Sequence, residues 1–396
     1  MPNQRQLFLR HLAPTSDIPL LLEIERAEGA FLYDTNGKPY LDLIAGISVS
    51  CLGHRHPAVV EAVKAQLDKY LHTLVYGEYV LSPQVNLARL LAEHLPPALD
   101  SVYFTNSGTE ATEGAMKLAK RCTGRTEIIA CREAYHGSTQ GAASLMSPTF
   151  FTQAYFPLLP GIRHIDFNSE EDLEKISAKT ACVILETVQA EAGVRLPAND
   201  FLIKLRQRCT DVGALLVLDE IQAGYGRTGT LWAFSQYGIV PDVLLLAKGM
   251  GGGMPIGAFV AGKDKMQALS VDPPLGHITT FGGHPVCCAA GLATLEVLLQ
   301  EDIIGQVKRK ERLFRSLLVH PAIQAVRSAG LLMAVELSDF HTLRRVILEC
   351  LENGVVTDWF LFNDRCLRIA PPLTISDGEI ELACAAILKA IDLVLA

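Results

Sequence analysis

At 396 residues and 43.1 kDa the chain exceeds the size at which one hydrophobic core stops growing, so two lobes are expected. With 49% hydrophobic and 20% charged residues it reads as a globular enzyme, and a formal net charge of −8 argues against a nucleic-acid or anionic-membrane surface. Ten cysteines without a C-x-x-C pair give no disulfide framework and fit a reducing compartment.

The first residues lack an apolar signal core, and no stretch reaches the roughly 18 apolar residues of a membrane span, so a cytoplasmic location is expected. Residues 1–54 read as an amino-terminal arm plus part of a small domain: a polar segment, then short strands within 31–43, where Asn36-Gly37 supplies hairpin turn chemistry. Residues 55–290 read as a large domain in which helix-period segments alternate with buried runs at 102–104, 128–130, 183–185, 214–218, 243–247 and 258–261. That alternation predicts an α/β architecture, a mostly parallel sheet with helices on both faces. The adjacent Cys287 and Cys288 have no companions at metal-ligand spacing, so no metal site is predicted. Residues 291–396 read as a small α+β domain, with longer helices broken by strands at 331–337 and 366–369. The basic stretch 308–312 reads as a solvated helix face, and Ser376-Asp-Gly-Glu379 has the spacing of a capping box that opens the last helix. No flexible linker separates the lobes, so they should pack directly on one another.

Two charges of opposite sign close buried runs. Asp219 follows 214–218, and Lys248 follows 243–247 and opens the glycine-rich stretch Lys248-Gly-Met-Gly-Gly-Gly-Met-Pro-Ile-Gly257. Ligands collect outside the carboxyl ends of strands in open α/β sheets, so both residues should face one crevice. A lysine there can form a Schiff base with a carbonyl and a carboxylate can hold a ring nitrogen protonated, the two contacts by which pyridoxal phosphate is gripped. The alternative is a buried ion pair that serves the sheet alone.

Other segments point to the same crevice. Residues 102–111 read as a strand, a small-residue turn and a helix that begins near Thr109 or Glu110. Unpaired amides at that helix start, the Ser107 and Thr109 hydroxyls and the close approach allowed by Gly108 make an anion cradle suited to a phosphate. Neither G-x-G-x-x-G nor G-x-x-x-x-G-K-[ST] occurs to compete with it. After the run 128–130, Tyr135 is placed to stack on a pyridine face, with His136 as a neighbouring or positioning group. Gln222, three residues after Asp219, can bring an amide to the ring's phenolic oxygen if the chain turns sharply.

Five segments then carry a resemblance: Asn106-Ser-Gly-Thr-Glu110, Leu218-Asp-Glu-Ile-Gln-Ala-Gly-Tyr-Gly-Arg-Thr-Gly229, the stretch 241–258 around Lys248, Thr279-Thr-Phe-Gly-Gly-His-Pro285 and Leu367-Arg-Ile-Ala-Pro-Pro-Leu373. In this order, over almost the whole chain, they resemble the class III pyridoxal-phosphate-dependent aminotransferases of the acetylornithine/ornithine type. The resemblance implies the fold type I transferase architecture and a homodimer with each site at the subunit interface. It implies that Lys248 is the Schiff-base lysine, Asp219 the pyridinium partner and Gln222 the contact to the phenolic oxygen. It further implies that Ser107, Gly108 and Thr109 hold the phosphate, joined by Thr280 from the other subunit, that Tyr135 stacks on the ring, and that Glu186 helps order the pocket.

For substrates, Glu191 and Arg368 are similar to the family's gate, in which the arginine binds the α-carboxylate of glutamate or 2-oxoglutarate and the glutamate neutralises it otherwise. The chain departs from the family at Ser138, where related enzymes carry an arginine that grips a remote substrate carboxylate, at Thr187 and Ala190 beside Glu191, and at Ile47, where ornithine enzymes tend to carry tyrosine. The expected activity is amino transfer from an amine or amino-acid donor of the acetylornithine, ornithine or ω-amino-acid type to 2-oxoglutarate, by a ping-pong mechanism. An isomerase with the same cofactor, an aminomutase or racemase that needs no keto acid, is the alternative.

Overall fold

The computed structural model describes residues 3–396. Its centre is a seven-stranded sheet in which Ser101–Thr105, Gly257–Ala261, Val243–Leu246, Leu215–Asp219, Thr180–Glu186, Glu127–Cys131 and Ile162–Ile165 lie side by side in that order. Gly257–Ala261 runs antiparallel to both neighbours, and every other pairing is parallel. Consecutive residues on these strands divide between two hydrophobic clusters. Ile129, Val183, Leu216 and Leu244 join one, while Ile128, Ile184, Val217 and Leu245 join the other. The pleat sends neighbours to opposite faces, and both faces are covered, so the strands show no polar alternation.

Helix Gly108–Thr123 covers one face through Ala111, Ala115 and Leu118. It lies so close that a Cβ at Gly114 would fall 2.3 Å from Phe259 Cε1, which is why a residue that weakens a helix by about 1 kcal/mol sits in mid-helix. On the other face, Leu87 and Leu91 of Ser82–Glu93 and Leu205 of Phe201–Val212 pack into the larger cluster.

The six anticipated runs all fall on strands, with only Ala214 and Ala247 lying just outside Leu215–Asp219 and Val243–Leu246. The edge strand Ile162–Ile165 was not anticipated, because it is half-buried with Arg163 exposed and has no aliphatic run. The helix after residue 107 starts at Gly108, slightly earlier than Thr109 or Glu110.

In the small lobe, Phe31–Asp34 and Pro39–Asp42 form the expected hairpin. Its turn depends on Asp34 Oδ1, which accepts from the amides of Asn36 and Lys38 at 2.9 Å, as well as on Gly37. Val355–Val356 pairs in parallel with Pro39–Asp42, which joins the two ends of the chain. A second sheet holds Ala325–Ala329, Leu332–Glu336, Asn363–Ile369 and Trp359–Phe360. The final helix, Asp377–Leu395, opens with the expected capping box on Ser376 and Glu379.

The basic stretch 308–312 is not a solvated face throughout. Lys310 is buried, its Nζ donates to the Leu373 carbonyl at 2.6 Å, and burial lowers its pKa. Arg309 grips Asp377 with two hydrogen bonds of 2.7 and 2.9 Å. Charge along a sequence does not reveal how far a long aliphatic stem is buried.

Candidate active site

The carboxyl ends of three neighbouring strands build the floor. Glu186 ends Thr180–Glu186 and sits directly across the ladder from Asp219, which ends Leu215–Asp219, and Asp219 is paired in turn with Leu245. Three residues on, Lys248 begins a short 3₁₀ turn, Lys248–Gly251, in the left-handed region at φ 46°. Such strain at a non-glycine residue is held only by surrounding structure and clusters at functional sites. Asp219 and Lys248 line one cavity of about 600 Å³, together with Ser107, Gly108, Thr109 and Gln222. They form no ion pair with each other among the described residues, so the bare structural pairing is not what holds them there.

Around Asp219 the charges are tightly organised. His136 is buried, and its Nδ1 donates to Asp219 Oδ2 at 2.7 Å, while Oδ1 accepts from the amide of Ile221 at 2.9 Å. Burial pulls the pKa of His136 down, but the Asp219 hydrogen bond and charge and the charge of Glu186 outweigh it, so the pKa rises above the ordinary value. Glu186 accepts from the amides of Tyr135 at 3.2 Å and Ala190 at 2.7 Å, and so pins the two loops that flank the cavity. Burial pushes its carboxyl up to about 7. Lys248 is displaced the other way: burial lowers its pKa, opposed by the charges of Glu191 and Asp219.

Helix Gly108–Thr123 opens onto the same cavity. Ser107 Oγ caps the amide of Glu110 and leaves those of Gly108 and Thr109 uncapped at the positive end of the helix. A Cβ at Gly108 would fall 2.7 Å from Ile221 Cδ1, so the backbone approaches the next loop more closely than any other residue would allow.

A second cavity of about 810 Å³ shares Lys248, Tyr135 and Ser138 with the first and ends at Glu191 and Arg368. Arg368 Nη1 and Nη2 donate to Glu191 Oε1 and Oε2 at 2.8 and 3.0 Å. Burial opposes ionisation of Glu191, but the Arg368 guanidinium outweighs it and holds the carboxyl at about 2. Gln222 Nε2 donates to Glu191 Oε1 at 3.0 Å, so this amide reaches the gate, and its buried Oε1 has no partner. Ile47, also in the left-handed region, lines this cavity with Met146, Phe151 and Leu361. Ser138 is exposed at its edge, and its hydroxyl pairs with the Tyr135 hydroxyl at 3.0 Å.

The sequence profile described as Aminotransferase class-III matches residues 12–391. The chain belongs to the class III aminotransferases. It is 41% identical over 386 residues to the acetylornithine aminotransferase of Methanopyrus kandleri, covering 96% of each chain. It is 38% identical to that of Archaeoglobus fulgidus, covering 91% of this chain and 93% of that one. Among solved structures, the ornithine aminotransferase of Toxoplasma gondii superposes with a TM-score of 0.91 at 31% identity, covering 98% and 94% of the two chains. An (S)-enantioselective omega-transaminase from Thermomicrobium roseum gives 0.92 at 28% identity over the full length of both. This class III aminotransferase therefore has the transferase fold expected from its motifs and uses pyridoxal 5′-phosphate. The isomerase alternative gains nothing from these relatives, which are named as aminotransferases.

The residues fit that cofactor. The uncapped amides at Gly108 and Thr109 suit a phosphate, Asp219 is a carboxylate at the cavity floor, and the unpaired Gln222 Oε1 and His136 Nε2 are buried polar atoms that the protein alone leaves unsatisfied. Thirteen of the fourteen anticipated residues come together around the two cavities. Glu186 is among them, although it was expected only as an ordering acid, and Thr280 is the exception: it is exposed and lines neither cavity of its own chain. Sequence reasoning missed Ile221 in the first cavity and Phe151, Tyr155 and Leu361 in the second. Ile221 lies inside a quoted motif and was available. The others come from irregular segments whose apolar side chains have no periodicity to mark them.

Proposed function

We propose that this aminotransferase moves an amino group from an amine-bearing donor to 2-oxoglutarate in two half-reactions on a homodimer. The observation that carries the reading is that Lys248 stands in the wall shared by the two cavities, between Asp219 on one side and Arg368 on the other. When bound, pyridoxal phosphate supplies an aldehyde to carry the amino group and a cationic ring that accepts the electrons left at the substrate carbon.

The chain's own residues do the rest. Lys248 Nζ would anchor the aldehyde and, with the substrate amine in its place, would be the base that receives the proton from the amine-bearing carbon. Its lowered pKa favours the neutral amine that this step requires. Asp219 would face the ring nitrogen and hold it protonated, and the His136 hydrogen bond orients the Asp219 carboxylate. Ser107, Gly108 and Thr109 would hold the phosphate, joined by Thr280 of the partner subunit. Tyr135 and Ile221, which line the first cavity, would wall the ring. Gln222, whose Nε2 donates to Glu191 in this structure, would supply its amide at the phenolic oxygen once that contact is given up.

In the resting gate Glu191 neutralises Arg368, which suits a donor with no carboxylate beside the reacting amine. When 2-oxoglutarate enters, its α-carboxylate displaces Glu191 and takes the two Nη donors. The apolar walls at Ile47, Met146, Phe151 and Leu361, and Ser138 in place of a cation, favour a donor with an apolar or neutral tail. The test is a panel of amines and amino acids mixed with holoenzyme and followed by the shift of the cofactor band to its amine form. Carboxylate-free amines should convert faster than acetylornithine or ornithine, and the opposite order would reject the donor assignment.

A further inference from the structure

Arg368 carries two carboxylates. Besides Glu191, Asp358 Oδ1 accepts from Arg368 Nε at 2.8 Å. The two attachments differ in kind. Asp358 precedes the strand Trp359–Phe360, which pairs antiparallel with Asn363–Ile369, and the Arg368 amide donates to the Asp358 carbonyl at 2.9 Å. Asp358 and Arg368 are therefore cross-strand neighbours, held together by the backbone whatever the site contains. Glu191 belongs to the loop after Thr180–Glu186; its backbone carbonyl accepts from the Phe362 amide and its Oε2 from the Leu361 amide, both at 3.0 Å, but it reaches Arg368 itself only through its side chain. Trp359 O accepts from Nη2 at 2.9 Å, and the Phe360 ring lies 4.4 Å from the guanidinium carbon. The guanidinium is thus clamped on its Nε edge, on one face and by the Trp359 carbonyl at Nη2, and Glu191 covers the rest of the Nη edge.

We propose that Asp358 is a specificity-determining residue, a counter-charge fixed in place by the backbone that weakens the hold of Arg368 on incoming carboxylates and keeps the site selective for donors without one. This rests on the reading of Glu191 and Arg368 as the carboxylate gate. One guanidinium between two carboxylates leaves the closed gate with one net negative charge, and exchange of Glu191 for a substrate carboxylate does not change that sum. Without Asp358 both states would be neutral, and the incoming anion would meet no repulsion. Asp358 does not line the substrate cavity, so it acts through Arg368.

The charge on Asp358 is also within reach of titration. Burial pushes its carboxyl up to about 6, with Arg368 opposing and Glu191 and Asp42 reinforcing the rise, and Asp42 is itself paired with His54 at 2.8 Å. Below that pH Asp358 becomes neutral and Arg368 regains its full attraction for a carboxylate.

The experiment uses holoenzyme loaded with pyridoxamine 5′-phosphate, reacted in single turnovers with 2-oxoglutarate or with butanal, an acceptor that lacks a carboxylate. The ratio of the two kcat/KM values removes effects common to both, including the titration of Glu186 and His136. For the unaltered enzyme the ratio should rise about fivefold as pH falls from about 8 to about 5.5, through a lower KM for 2-oxoglutarate. Asp358→Asn should show the raised ratio at every pH, with butanal unaffected. A ratio independent of pH in the unaltered enzyme, together with an unraised ratio in Asp358→Asn at about pH 8, overturns the inference. So does a lower ratio in Asp358→Asn, which would make the residue a support that helps carboxylates bind. If Arg368→Ala leaves the ratio unchanged, the gate reading itself has failed. If Arg368→Ala lowers the ratio while Asp358→Asn matches the unaltered enzyme, only the role of Asp358 has failed.

Discussion

His136 Nδ1 donates to Asp219 Oδ2 at 2.7 Å in a site from which solvent is almost wholly excluded. A carboxylate accepts only, so Nδ1 carries the proton, and the imidazole is oriented with its unpaired Nε2 turned elsewhere. The pair couples Asp219 to a titratable group that a bare aspartate would lack. Replacing His136 with Asn should lower kcat about tenfold and move the alkaline limb of the pH–rate profile, while Asp219→Asn should cost far more. A His136→Asn profile that overlays the unaltered enzyme would show that the ring only fills space.

The same pair makes a stability prediction whose sign follows from linkage. The pKa of His136 in the folded protein lies above its ordinary value of 6.5. Its contribution is therefore complete below the unfolded value and is lost as pH rises through the folded one. The Tm difference between the apo forms of the unaltered enzyme and His136→Asn should be largest in mild acid and should narrow towards alkaline pH. A difference that widens with pH would contradict it.

Lys248→Ala should abolish turnover and remove the covalently fixed cofactor. Borohydride treatment followed by mass spectrometry of the denatured chain should find the added mass on the unaltered protein and none on the variant. Turnover by Lys248→Ala within an order of magnitude of the unaltered enzyme would end the proton-transfer assignment.

Truncating a buried, hydrogen-bonded charge pair costs roughly 2–5 kcal/mol, so Arg368→Ala should raise KM for 2-oxoglutarate by at least about thirtyfold. KM for a carboxylate-free amine should change much less. Equal losses for both would mean that Arg368 supports the fold around Glu191 instead of discriminating between substrates.

Ser138→Arg tests the other end of the donor cavity. An arginine there can place a cation at the rim, where the present hydroxyl only pairs with Tyr135. The expected result is a gain of about tenfold in kcat/KM for donors with a remote carboxylate over neutral amines. No change in that ratio would show that something other than Ser138 sets the tail preference.

The large sheet was readable in the chain because strands buried on both faces must be aliphatic throughout, and Asp219 and Lys248 stood out as charges closing such runs. The exposed edge strand Ile162–Ile165 and the half-exposed Ala325–Ala329 left no such mark, since solvent tolerates arginine and serine there. Motif order also determined the family, the cofactor and most of the named residues that line the two cavities. What folding alone decided were relations between distant residues. The contact of His136 with Asp219 spans 83 positions, that of Glu191 with Arg368 spans 177, and the second carboxylate on Arg368 exists only because a hairpin puts Asp358 opposite it. Local periodicity encodes which face of an element is buried. It does not encode which polar groups meet once those elements pack, and the charge balance of this site arises from those meetings.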